Sequence, residues 1–237
     1  MSVRAERGRV ARRARGPGRP PGPSRVKQAR ARLVATASAI YAEGGDAGLS
    51  YAVLAERSGL TKPTLFHYFP TKDTLRYAVF QALGERLEAA AESWFDAPPE
   101  SFAARLDRLV GALVDFYGAD PVNARILCRG LLETRGGVGM PPVFAHFVRR
   151  FTEFIAAGVR AGEFYPDPPL ATVLSIGGVV LFEFMLPAHG RRQLYGGSLP
   201  SLEQRKAEMV ALVRRAVVRP AARLGRTERA TASRSRT

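Results

Sequence analysis

Cysteine is almost missing from this 237-residue sequence: Cys128 stands alone, which excludes an internal disulfide and with it a small stapled scaffold of the secreted kind. No row of Cys and His has metal-ligand spacing, so neither a structural zinc site nor any cofactor is expected. Long apolar runs are lacking too. The longest, residues 170–182, has 13 residues and runs into Glu183, short of the roughly 18 that a spanning helix needs. No membrane partner is expected. The first 32 residues carry no apolar segment of the secretory type, and Gly16 to Gly22 would interrupt the amphipathic helix of an organelle transit peptide. There is no Gly-x-Ser-x-Gly elbow, His-Glu-x-x-His pair or phosphate-binding glycine loop, so no enzyme is expected. These absences predict a reducing compartment.

Acidic residues are also few, 21 against 36 bases, for a net charge of +15. The excess is confined to the ends. Residues 1–32 hold eleven Lys/Arg and one acid, residues 219–237 hold six Arg and one acid, and the 19 bases of residues 33–218 balance 19 acids. The tails are rich in Arg, Gly, Pro, Ser and Thr. They cannot offset their ordering entropy by burial, so 1–24 reads as a disordered basic arm and 219–237 as a disordered basic tail. A polyanion is their natural partner. Arg19, between Gly18 and Pro20, can lay a guanidinium along a narrow minor groove when the arm is extended.

What is present in quantity is helical periodicity, and no strand pattern competes with it. The fold class is all-α: an amino-terminal three-helix domain over 25–71, then a larger helical domain over 72–218, about nine helices in total. Val26, Ala29, Leu33, Ala37, Ile40 and Tyr41 mark a first helix that ends at Gly44-Gly45. Ser50 caps a second, Tyr51 to Ser58, which Gly59 ends. Thr61 is placed to cap a third by accepting the N–H of Thr64, with Pro63 in its first turn, where a missing N–H costs nothing. Phe69-Pro70 stops it, and a long fourth helix starts at Lys72. Further helices are expected near 101–117, 122–134, 143–164, 169–186 and 200–218, with 189–200 a glycine-containing connection.

The stretch from Ser50 to Phe69 fits a helix-turn-helix. At about 100° per residue, Leu65 and Phe69 point inward, while Pro63, Thr64 and His67 face away. Thr64 and His67 can hydrogen-bond base edges, and Pro63 can pack on thymine methyls. Lys62 is placed for a phosphate or a guanine, and Phe66 and Tyr68 flank the reading face. Lys72, with the free N–H groups of its helix start, forms an anion site suited to a backbone phosphate.

The run from Ala35 to Leu75, including Tyr41-Ala42-Glu43-Gly44-Gly45 and Val53-Leu54-Ala55-Glu56-Arg57-Ser58-Gly59-Leu60-Thr61-Lys62-Pro63-Thr64-Leu65-Phe66-His67-Tyr68-Phe69-Pro70-Thr71-Lys72, resembles the DNA-binding domain of the tetracycline-repressor (TetR) family over about residues 28–78. The resemblance implies that Lys62, Pro63, Thr64, Phe66, His67 and Tyr68 lie on or beside the groove and that Lys72 holds a phosphate. One departure is Phe66, where the family usually has tyrosine with a phosphate-binding hydroxyl. The resemblance further implies a homodimeric regulator, most often a repressor, on a palindromic double-stranded operator and released by a small-molecule inducer. The alternative is an architectural protein that coats DNA indifferently through its tails.

Beyond residue 92 no motif identifies an inducer. The helix 169–186 is apolar nearly all round, so one side is expected on the subunit core and the other on a second copy. Val173, Gly177 and Val180, with Met209, Leu212, Val213 and Ala216 of the last helix, are the expected interface. Phe147 and Phe151, from a phenylalanine stripe, with Phe116, Cys128, Phe182 and Glu183, are the expected cavity wall, and Tyr117 is a further candidate.

Overall fold

The computed structural model describes residues 23–95, 100–132 and 142–220. These hold ten helices and no strand: α1 (Pro23–Gly48), α2 (Tyr51–Ser58), α3 (Lys62–Tyr68), α4 (Lys72–Phe95), α5 (Phe102–Ala119), α6 (Pro121–Leu132), α7 (Pro142–Arg160), α8 (Pro169–Met185), α9 (Ala188–Leu194) and α10 (Leu202–Val217). Residues 1–22 of the expected arm, Arg19 included, and 221–237 of the expected tail lie outside the described residues, whereas Pro23 and Ser24, expected in the arm, open α1.

Capping explains the short helices. The Ser50 hydroxyl accepts the Val53 N–H at 3.2 Å and opens α2. Gly59 closes it in the left-handed region at φ 68°, where a side chain would be strained. Thr61 does precede α3, yet its hydroxyl does not take the Thr64 N–H. It meets the Thr64 hydroxyl at 3.0 Å instead, so α3 starts without a side-chain cap and relies on the fixed φ of Pro63. Gly44-Gly45 does not end the first helix as expected. Gly45, at φ 61°, kinks it, and one more turn runs on to Gly48.

Leu33, Ala37, Ile40 and Tyr41 of α1 are buried with Leu54 of α2 and Leu65 and Phe69 of the third helix segment, which makes one core under the helix-turn-helix. The Tyr51 hydroxyl donates to the Phe69 carbonyl at 2.6 Å, so α2 grips the end of α3. The Arg57 guanidinium donates to both carboxylate oxygens of Glu43, tying α2 to α1 and holding that carboxyl below its usual value.

The rest of the chain packs α5 between α4, α8 and α10, with α7 across α4 and α8. Phe144, Phe151, Phe154 and Ile155 bury the inner face of α7. Gly84 of α4 allows a close crossing, since a Cβ there would lie 2.2 Å from Val143 of α7. The connection expected over 189–200 contains α9, a helix with no buried residue and therefore no apolar periodicity to betray it. Among the described residues no single helix is long and apolar enough to cross a membrane; α8 and α9 reach that measure only as a pair bent by 107°.

Candidate nucleic-acid interface and ligand cavity

Side chains of α3 divide cleanly between scaffold and solvent. Leu65 and Phe69 are 0% and 1% exposed, and Lys62, Pro63, Phe66 and His67 face outward. Thr64 is half-buried, with its hydroxyl already engaged by Thr61. The Phe66 ring lies 4.4 Å from that of Tyr51, so a residue that is 47% exposed is held against α2 on one face while the other stays open. His67 and Tyr68 meet edge to face at 5.7 Å. Arg30 of α1 places its guanidinium 5.1 Å from the centre of the Phe69 ring. Ser50, a candidate DNA contact, acts as the α2 cap described above: its hydroxyl oxygen accepts the Val53 N–H and its own O–H remains able to donate.

The start of α4 differs from the expected open anion site. Thr71 and Thr74 cap each other: the Thr74 N–H donates to the Thr71 hydroxyl at 3.1 Å and the Thr71 N–H to the Thr74 hydroxyl at 3.2 Å. Two donors of the first turn are therefore taken. The Lys72 ammonium donates to the Asp46 backbone carbonyl and lies 3.0 Å from the Asp46 carboxylate. Arg76 completes the group, 3.6 Å from Asp46 and 3.0 Å from Asp73. Two cations and two anions balance here, an arrangement that sequence reading missed because Asp46 is 26 residues from Lys72.

In the larger half, α4 to α8 line a partly open cavity of about 280 Å³. Phe147 and Phe151 line it, as expected. Four other expected wall residues do not. Phe116 meets Tyr117 edge to face at 5.1 Å and is not part of the wall, and Cys128 is half-buried beside Tyr117, its thiol pushed up by burial. Phe182 is 58% exposed on the far side of α8. Glu183 is paired with Arg205 of α10 and with Arg191 of α9, 3.6 Å away, so its carboxylate serves to join three helices. Wall residues that were not singled out include Leu87 of α4, Leu113 of α5 and Leu127 of α6, each buried or half-buried from a different helix.

Residues 33–79 match the model of the bacterial regulatory proteins of the tetR family. This segment thus carries a TetR-type amino-terminal domain. It is similar to the HTH-type transcriptional repressor Rv3405c of Mycobacterium tuberculosis, with 32% identity over 107 residues that make up 44% of this chain and 56% of that protein. With the HTH-type transcriptional regulator EthR of Mycolicibacterium smegmatis it shares 32% identity over 117 residues, 48% of this chain and 50% of that one. The match thus spans about half the length of these curated relatives. A TetR-family regulatory protein from Rhodococcus RHA1 superposes with a TM-score of 0.67 at 22% identity, over 79% of this chain and 96% of that one. AibR, solved with isovaleryl coenzyme A and operator DNA, superposes with a TM-score of 0.65 at 17% identity, over 78% and 97%. At these identities the solved structures establish the fold.

Beside the TetR-type domain, the outer faces of α8 and α10 need correction residue by residue. Val173, Val180, Met209 and Val213 were expected at a subunit interface, but all are at most 8% exposed inside their own chain and have nothing left to offer a partner. Gly177 is half-buried and lines the cavity. Leu212, at 46%, and Ala216 are exposed as expected. The apolar residues left open on these two helices are Leu170, Leu174, Val179, Phe182 and Met185 of α8 and Leu212 of α10, more than a scattering of surface leucines.

Proposed function

We propose that the protein is a homodimeric transcriptional repressor that reads a palindromic operator through α3 and leaves it when a small molecule occupies the cavity between α4 and α8. The observation that carries the reading is the division of α3: Leu65 and Phe69 sealed in the core, and Lys62, Pro63 and His67 turned to solvent on a rigid seven-residue rod. Two such rods related by a two-fold axis meet successive major grooves about 34–36 Å apart. In this reading residues 25–71 are the reading head, 72–218 the dimerising and sensing body, and the ends, Arg19 among them, strengthen binding to phosphate without choosing sequence. The exposed faces of α8 and α10 join their counterparts in a four-helix bundle. A ligand releases the operator only if it favours the spread arrangement of the two heads.

Equilibrium titration of a genomic fragment library tests the reading, with recovery of a palindromic sequence as the expected result. His67→Ala and Thr64→Ala should each lose about 1–3 kcal/mol of discrimination at particular base pairs. Equal affinity for every fragment, abolished by removing residues 1–24, would instead identify a protein that coats DNA through its ends.

A further inference from the structure

The cavity wall is made of aliphatic and aromatic side chains, among them Leu113, Phe144, Phe147, Phe151 and Val180, and no charged residue belongs to it. One polar side chain does. Tyr117 of α5 is 3% exposed, and its hydroxyl has no hydrogen-bonding partner among the described residues. The hydroxyl is not one of the sealed polar atoms of the fold, so it costs the fold little and stands available at an otherwise apolar wall. The same group is what an apolar pocket needs to orient a ligand. Building on the cavity reading above, we infer that this site takes an uncharged, apolar molecule with a single hydrogen-bond acceptor, such as a medium-chain ketone, ester or lactone, whose oxygen receives the Tyr117 hydroxyl.

Three features fix this class. Volume comes first: 280 Å³ admits roughly nine groups at about 30 Å³ each, the share of one water in the liquid. That accommodates a chain of eight or so carbons within the wall, and a nucleotide or coenzyme A moiety would have to stand outside it. Charge comes second. A carboxylate or ammonium in this wall would be desolvated with no counter-ion in the wall itself, because no charged side chain lines it. Protonation comes third. Burial and the neighbouring Cys128 push the Tyr117 phenol upward, so it stays an O–H donor at neutral pH and meets an acceptor on the ligand.

Isothermal titration of the full-length protein without DNA tests the assignment with three probes: 2-octanone, ethylbenzene and octanoate. Wild type should bind the first two, and octanoate at least tenfold more weakly than 2-octanone. Tyr117→Phe should weaken 2-octanone about fivefold to tenfold, the range of one net hydrogen bond, and leave ethylbenzene unchanged. Val148→Phe, which fills the cavity from a half-buried wall position, should remove both neutral probes and guards against a Tyr117→Phe protein that does not fold. Unchanged 2-octanone binding in Tyr117→Phe, octanoate as the tightest probe, or no binding of either neutral probe would overturn the inference. A separate DNA titration keeps the two readings apart: 2-octanone bound in the cavity without loosening DNA contradicts the regulator reading and leaves the ligand class standing.

Discussion

The Lys72 ammonium and the Asp46 carboxylate stand 3.0 Å apart, bridging the start of α4 to the last turn of α1. The family resemblance assigns that lysine to a DNA phosphate, and in the free chain an internal anion holds the place. Both side chains are more than a third exposed, so the pair adds little to stability, within about 1 kcal/mol. Its effect falls on binding. Asp46→Asn should tighten binding to all DNA sequences alike, about fivefold at low salt and less as salt rises. Lys72→Ala should weaken all sequences alike and lower the salt slope by about one. Fluorescence anisotropy over a salt series checks both, and a weaker Asp46→Asn complex would mean that Asp46 aims the lysine instead of competing for it.

Two hydroxyls in equivalent sequence positions have different structural duties. Ser50 caps α2 through the Val53 N–H, whereas Thr61 before α3 makes only a contact with another hydroxyl. Ser50→Ala should therefore cost about 1 kcal/mol in denaturant unfolding, and Thr61→Ala only a few tenths. Equal losses would mean that the Thr61 hydroxyl turns to the backbone in solution.

Oligomeric state follows the exposed face and not the buried one. Phe182→Glu or Leu212→Glu should turn the proposed dimer into monomers, read as mass by light scattering on a sizing column. Met209→Ala, 8% exposed in its own subunit, should cost about 2–5 kcal/mol of stability and leave the mass unchanged.

Glu183 provides a contrast between a structural and a sensing role. Its carboxylate serves Arg205 and Arg191, whose side chains are 7% and 11% exposed. Glu183→Ala leaves both cations buried without it, at a cost of about 3–5 kcal/mol in chemical denaturation. Affinity for 2-octanone should stay within about twofold, because the residue is outside the cavity wall. Lost affinity at unchanged stability would return Glu183 to the ligand site.

What the sequence disclosed follows from the range of the interactions. The α2 cap, the Gly59 turn and the inward pair Leu65 and Phe69 are set by neighbours within a few residues, so a local pattern carries them. The split of α8 was hidden because its apolar residues surround the whole helix: Val173 and Val180 turn in, Leu174 and Phe182 turn out, and all four read alike. α9 left no trace, since a helix that buries nothing has no stripe. Long-range partners were illegible for the same reason that Glu183 looked like a cavity residue: a lone carboxylate in an apolar helix has the same sequence signature whether it awaits a ligand or an arginine 22 residues away.

A single rod, α4, carries Lys72 at its head and Leu87 in the cavity wall. At 1.5 Å per residue the two are about 22 Å apart, so a swing of roughly 5° about the inner point moves the head by about 2 Å. Hydrogen bonds tolerate a spread of only about 0.5 Å. In the proposed reading, small rearrangements around an occupant of the cavity would thereby be amplified into a misfit at the double helix, with no joint required between the two ends.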